Sequence, residues 1–360
     1  MEDPLWTATH APALADLPQD GVRDRMDRAL AEPVNLLVHG PAGAGKTAAV
    51  RALADELHDH EDDYIELNVS DFFDRTKTEI RNDPRFEGFL QGEIPWVRQL
   101  SSEQRQNRSK RYKSDWSKSE MVTHVLKEYA THAPASGEYK TVLLDNAEAM
   151  REDFQQALRR VMERHYETTQ FVIATRQPSK LIPALRSRCF PVPVRAPTRE
   201  EIQGVLADIA AAEDVPHDDE GLGYVAAYAD GDLRRAILAA QTAAVETGGI
   251  EGGGVLDPLR EVGPREAVEG MLADAEDGAF ADARSTLDDL LVDRGYSGEE
   301  VLAAIREAAA RRYGDRRLAA VHELAGEVDL DLARGTNERL HLARLLAELA
   351  ADAVAGADRQ

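Results

Sequence analysis

Residues 35–50 read NLLVHGPAGAGKTAAV. A short apolar run enters a glycine-rich turn, and a helix-forming segment leaves it. The eight residues Gly40, Pro41, Ala42, Gly43, Ala44, Gly45, Lys46 and Thr47 fit the pattern G-x-x-x-x-G-K-[ST] in the strand–turn–helix setting that pattern needs. The glycines let the backbone fold so that successive N–H groups face phosphate oxygens. Lys46 adds positive charge to the terminal phosphates, and the Thr47 hydroxyl is a ligand for Mg2+. The stretch therefore predicts a P-loop that takes ATP or ADP with Mg2+.

Outward from this loop, apolar β-type runs alternate with helical patterns. The expected strands are VNLLVH at 34–39, YIELNV at 64–69, TVLLD at 141–145, QFVIAT at 170–175 and FPVPV at 190–194. Helices are expected over 48–58, 119–130 and 151–165. That alternation predicts an α/β domain with a five-stranded parallel sheet covered on both faces. The second and third strands lie about 70 residues apart, more than one crossover needs, so an insertion is expected at about 72–116. From about 197 onward the pattern is helical, as in REEIQGVLADIAAA, DLRRAILAAQTAAVE, GEEVLAAIREAAARR and ERLHLARLLAELAADAV. TGGIEGGG at 247–254 breaks that pattern and marks a boundary. The expected domains are a nucleotide-binding domain at 1–195, a helical lid at 196–250 and an all-α domain at 254–360.

Asp145 ends an apolar strand, where a carboxylate holds Mg2+ through its water shell. Capping of the next helix is the other reading of the same residue. The following residue, where a nucleotide hydrolase of this kind usually carries Glu, is Asn146. An amide can orient a water but cannot accept its proton. Glu148 is expected to be a first-turn acid favoured by a helix dipole rather than a replacement base. LRSRC at 185–189 puts Arg188 on a turn, either as a surface residue or as a group reaching a neighbouring subunit's phosphate. GDLRRAIL at 231–238 puts Arg234 in a first helical turn, either an ordinary helix start or a phosphate contact.

The chain has 360 residues and a net charge of −23, with 66 acids against 43 bases. Only 8 of the bases are Lys. Acid excess with few lysines resembles proteins of salt-loving archaea. Against this background QRQNRSKRYKSDWSK at 104–118 is the one dense basic stretch. Arg105, Arg108, Lys110, Arg111 and Lys113 suit a nucleic-acid backbone, and Tyr112 and Trp116 offer faces for stacking on bases. A solvated loop explains the same stretch equally well. No run of about 18 apolar residues predicts a membrane span. No signal-peptide pattern opens the chain, and the lone Cys189 fits a reducing cytoplasm.

Taken together these residues resemble the small subunit of replication factor C, the AAA+ clamp-loader family of archaea and eukaryotes. The likeness rests on GPAGAGKT, on AEAMREDFQQALRRVMERHYETTQFVIA at 147–174, on Ser187-Arg188-Cys189, on GDLRRAIL, and on RGYSGEEVL and AGEVDLDLARGTNERLHLARLLAELA near the end. It implies an ATPase domain, a small helical lid and a helical collar that joins subunits in a ring. It further implies partners: other small and large subunits, a PCNA-type sliding clamp and primer–template DNA. Arg188 then acts in trans on a neighbour's ATP, and Arg234 takes the second-sensor place. Departures from the family cluster at one pocket. Asn146 replaces the catalytic Glu, Arg176 stands at the first sensor in place of Asn, and WTATHAP at 6–12 replaces a segment that helps hold adenine. The resemblance so implies a subunit that binds ATP or ADP with Mg2+, hydrolyses it weakly and donates Arg188. A fully active ATPase subunit, or another AAA+ remodeler such as a helicase loader, is the alternative.

Overall fold

The computed structural model describes residues 5–31, 34–83, 86, 89–90, 116–255, 264–333 and 337–357. The chain divides into two compact units, Met1–Gly252 and Gly253–Gln360.

The first unit is built on five parallel strands: β1 Leu36–His39, β2 Tyr64–Asn68, β3 Lys140–Asp145, β4 Thr169–Thr175 and β5 Phe190–Pro193. Their spatial order is β2-β3-β4-β1-β5. All five fall on the apolar runs that predict them, with ends shifted by one or two residues. The strands carry the period-2 pattern of a sheet buried on both faces. In β4, Phe171 and Ile173 join one core while Val172 and Ala174 join the other; in β3, Val142 and Leu144 part from Leu143 in the same way.

Eleven helices of this unit are described: α1 Trp6–Thr9, α2 Asp20–Ala31, α3 Lys46–Leu57, α4 Val69–Asp74, α5 Lys77–Arg81, α6 Lys118–Thr131, α7 Glu152–His165, α8 Pro183–Arg186, α9 Arg199–Ala212, α10 Asp219–Ala229 and α11 Leu233–Thr247. Helices α2 and α3 cover one face through Met26, Val50 and Leu53, and α6 and α7 cover the other through Met121, Leu126, Phe154 and Leu158. The expected insertion begins inside the core, because Phe72 and Ile80 from α4 and α5 pack with Phe86 and Leu90 in the α6–α7 layer. Several helix starts are written locally. Thr76 with Glu79, Ser117 with Glu120 and Thr198 with Glu201 form reciprocal capping boxes; one such cap is worth about 1 kcal/mol.

The second unit is helical: α12 Arg265–Glu276, α13 Phe280–Asp288, α14 Gly298–Arg312, α15 Asp315–Ala333 and α16 Glu338–Ala357. A π-helical turn, Asp289–Asp293, prolongs α13. Met271, Leu287, Ile305, Val321 and Leu346 meet in its core. No described helix is long and apolar enough to cross a membrane.

Candidate nucleotide site

Parallel strands deliver their last residues to one edge of the sheet, and the site stands there. Asn68 pairs with Asp145 in register, and His39 pairs with Thr175. The order β3-β4-β1 therefore sets Asp145, Thr175 and the start of the P-loop side by side.

The loop leaves β1 with the Gly40 N–H donating to Thr175 O at 3.3 Å. A Cβ at Gly40 would lie 1.8 Å from Val194 O, so only glycine lets the loop pass the end of β5. Gly43 has φ +64°, and a Cβ there would meet Asp232 Oδ1 at 1.9 Å. Above Gly45 a Cβ would meet nothing within 4 Å, which leaves room for a ligand over the loop. The chain then enters α3 at Lys46, whose first N–H groups have no intrahelical acceptor and attract anions.

Lys46 is nearly buried, at 9% exposure. Its Nζ donates to Gly40 O at 3.0 Å and Pro41 O at 2.6 Å. Burial pulls its pKa down, against the pull of Asp145, Glu148 and Asp232, and the nearby charge of Arg176 lowers it further. Such an amine gains from an added phosphate charge. Thr47 Oγ1 donates to Asp145 Oδ2 at 2.8 Å. A hydroxyl and a carboxylate in contact beneath a phosphate-binding loop fit Mg2+, which takes few protein ligands and completes its shell with phosphate and water.

Beyond Asp145 the geometry changes character. Asn146 adopts φ 51°, a left-handed conformation that Asn tolerates better than most residues. Its Nδ2 donates to Asn68 Oδ1 at 3.1 Å. That same oxygen caps α4 by accepting from Asp71 N–H at 3.4 Å. The amide of Asn146 is thus tied to the neighbouring strand.

Glu148 is the acid of a short 3-10 turn, Ala147–Ala149, and α7 begins only at Glu152. Its carboxylate accepts from Thr175 Oγ1 at 2.7 Å, Arg176 N–H at 3.2 Å and Arg176 Nε at 2.7 Å. Burial pushes its pKa up, but hydrogen bonds from Arg176 and Thr175 outweigh that and hold it at about 2. A carboxylate so held is a poor proton acceptor near neutral pH.

The helices after β5 close one side of the site. Asp232 caps α11 by accepting from Arg235 N–H at 2.9 Å, and Leu233 N–H donates to Gly43 O at 3.0 Å. Arg234, exposed in that first turn, is one residue from this contact. Arg235 instead lies over the Tyr228 ring at 4.3 Å. The altered N-terminal segment also meets this part of the chain: Trp6 is buried, its backbone N–H donates to Gln241 Oε1 at 3.0 Å, and His10 pairs with Glu213.

Arg188 stands apart from these groups. It follows α8 and precedes Phe190, which pairs with Leu36 at the start of β1, whereas the P-loop follows the other end of that strand. About 10 Å of sheet separates the two ends. Its guanidinium is surface-exposed, with Nη1 donating to Ala184 O at 2.7 Å and Nη2 2.6 Å from Glu163 Oε1. Neighbouring Cys189 is half-buried, and burial pushes its thiol up to about 12.

The basic residues Arg105, Arg108, Lys110, Arg111 and Lys113 lie outside the described residues. Trp116, at the end of that stretch, packs against the core with its ring 4.7 Å from that of His124, so it is not a free stacking surface. Sequence reasoning missed Asn68 and Thr175. Their signal was their place, each a polar residue ending an apolar strand as Asp145 does.

A five-stranded parallel sheet with a P-loop after its first strand, a Mg2+-type Thr–Asp pair and a helical segment touching that loop define a P-loop ATPase module of the AAA+ class. Residues 36–194 match the model of the ATPase family associated with various cellular activities, and residues 264–348 match the replication factor C C-terminal domain. Curated relatives are replication factor C small subunits. That of Halobacterium salinarum is 32% identical over 89% of this chain and 86% of its own length. Those of Archaeoglobus fulgidus and Methanocella arvoryzae are each 30% identical over 96% of this chain, covering 97% and 96% of their own lengths. The chain belongs to the replication factor C small subunit family.

Proposed function

We propose that this chain is a nucleotide-holding subunit of a clamp-loader ring. It takes ATP or ADP with Mg2+ in its own pocket, hydrolyses ATP weakly there, and supplies Arg188 to the ATP of a neighbouring subunit. The ring's other small and large subunits, a PCNA-type clamp and primer–template DNA are its partners. The domains serving these tasks are the nucleotide-binding part at 1–195, the lid at 196–250 and the collar at 254–360.

The observation that carries this reading is the contrast between Thr47–Asp145, in contact beneath the loop, and Asn146, an amide tied to Asn68. Thr47 and Asp145 would hold Mg2+, which neutralises phosphate charge when bound. Gly40–Thr47 and Lys46 would hold the phosphates, with Arg234 approaching from α11. Nothing at residue 146 can take the proton of an attacking water, and Glu148 is committed to Thr175 and Arg176. Loss of a general base costs on the order of 10²–10⁴ in rate. The position of Arg188, at the opposite end of β5 from its own loop, supports a role in another chain's site.

The charge of Arg105, Arg108, Lys110, Arg111 and Lys113 supports a contact with the DNA backbone. Neutralising all five should lower the salt slope of DNA binding by about 0.9 for each phosphate that they neutralise in the parent; an unchanged slope rejects the contact.

Single-turnover ATP hydrolysis by the isolated chain in high potassium chloride tests the central claim. A silent parent beside an active Asn146→Glu variant is the expected pair. Clear turnover by the parent overturns the weak-hydrolysis reading and favours a fully active ATPase subunit.

A further inference from the structure

A cavity of about 270 Å³ lies at the starts of β2 and β3, the end of the sheet opposite the phosphate loop. Asp62, Asp63, Tyr129, Ala133, Ala135 and Lys140 are among its walls. Lys140 is only 3% exposed. Its amine donates to Tyr129 O and lies 4.3 Å from the centre of the Tyr129 ring. Among the described residues no acid forms an ion pair with it. Asp63, the buried acid of the same cavity, is already engaged: its carboxylate accepts from Ala135 N–H at 2.6 Å, Ser136 N–H at 2.7 Å and Ser136 Oγ at 2.8 Å. A buried ammonium without a counterion favours its neutral form, and burial lowers this pKa to about 8. The result is a nucleophilic amine in the wall of a cavity.

Three features of this arrangement fit an amide at Nζ better than an ammonium. One carbonyl acceptor needs one N–H, which a secondary amide keeps. A short acyl group would occupy space beside Ala133 and Ala135. Loss of the charge strands no carboxylate, because Asp63 keeps its own donors. The Tyr129 ring favours the cation, but such a contact is weak beside the desolvation of an ammonium. Lys46, the other buried lysine described, fails the same comparison. It donates to two carbonyls, and an amide N–H would satisfy only one of them. The acyl donor that suits this place is uncharged, since the exposed Asp62 borders the cavity in a chain of net charge −23.

We propose that Lys140 is a modification site, acylated on Nζ by a small uncharged thioester. The amine nitrogen bonds to the acyl carbon and the carbon–sulfur bond breaks. One amine proton passes to the departing sulfur, so the products are a secondary amide and a free thiol. The modification removes an uncompensated charge from the place where β3 meets the end of α6. It is independent of how the nucleotide pocket works, because that pocket lies at the other end of the strands.

The test treats the full-length chain in high potassium chloride, near pH 8 to match the Lys140 amine, with the acetyl thioester N,S-diacetylcysteamine. Peptide mass spectrometry follows each lysine over time. Lys140 should acetylate about tenfold faster than the exposed Lys77, Lys127 and Lys180, because its larger share of free amine outweighs the lower basicity of that amine. In denaturing urea that lead should vanish. Ala133→Leu, which fills part of the cavity, should slow Lys140 and leave the three exposed lysines unchanged. A Lys140 rate no higher than theirs overturns the inference. So does a lead that survives in urea, or one that Ala133→Leu does not reduce.

Discussion

Two halves of the same sheet edge use similar atoms for different ends. On one side the P-loop, Lys46, Thr47 and Asp145 leave a cradle open to phosphate, with free space above Gly45. On the other, Asn146 is spent on Asn68, and Glu148 on Thr175 and Arg176. The first half ties its polar groups to one another around the loop, whereas the second ties them to the neighbouring strands β2 and β4. The residues suited to holding a nucleotide and the positions from which a water would be activated are therefore different, and the second set is committed to protein partners.

The comparison can be broken most decisively in the assembled complex. Arg188→Ala should lower turnover at the neighbouring site by on the order of 10³-fold, the low end of an arginine's contribution in trans, while nucleotide binding by this chain stays unchanged. Undiminished turnover of the complex rejects the trans role and leaves a subunit with no part in hydrolysis at all. Next in size, Asn146→Glu should raise own-site single turnover by about 10²-fold. The gain is held near the bottom of the base-catalysis range because Asn68 Oδ1 would face a carboxylate. Relief comes only if Asn68 turns its amide and gives up the α4 cap, at a cost of about 1 kcal/mol.

The smallest effect sharpens the contrast from outside the pocket. Lys140, at the start of β3, is buried, covers the Tyr129 ring at 4.3 Å and donates to Tyr129 O near the end of α6. Burial lowers its pKa to about 8, from the ordinary 10.5, although Asp63 pulls the other way. Between these values the unfolded chain binds a proton that the folded chain does not, so the contribution of this amine to stability rises with pH from about 8. Urea midpoints should climb between pH 8 and 9 in the parent and stay flat there in Lys140→Met, because above the ordinary thiol value of 9 the raised Cys189 thiol opposes the gain. ATP affinity should be indifferent to Lys140→Met, since this end of β3 is opposite Asp145. A matching fall in ATP affinity would show that the two ends of the strand are coupled.

The sequence made the holding half legible and the other half only partly so. GPAGAGKT carries its own geometry, because the glycine positions and the strand before them dictate the turn. Asp145 is readable for a similar reason, as the first charge after TVLL. The partners of Asn146 and Glu148 were not readable. They depend on register, on Asn68 ending its strand level with Asp145 and on Thr175 ending its strand level with His39. No local pattern encodes register between residues 77 and 136 positions apart. The groups that commit Glu148, Thr175 and Arg176, lie 27 and 28 residues further on, where no local pattern points to them. Trp116 was misjudged because an aromatic residue inside a basic stretch looks free until its neighbour, His124, one turn into the next helix, is placed. The capping boxes lie at the other extreme, since Thr76-x-x-Glu79, Ser117-x-x-Glu120 and Thr198-x-x-Glu201 can be read off the letters alone.

The half-buried thiol of Cys189 has a practical corollary. Held as a thiol to about pH 12, it supplies almost no thiolate at neutral pH, and thiolate is the form that reacts with maleimides and iodoacetamides. No other cysteine occurs in the chain. Cys189 should therefore react slowly with such reagents, and one cysteine introduced at an exposed position such as Tyr166 should carry a fluorophore or crosslinker with Cys189 left in place.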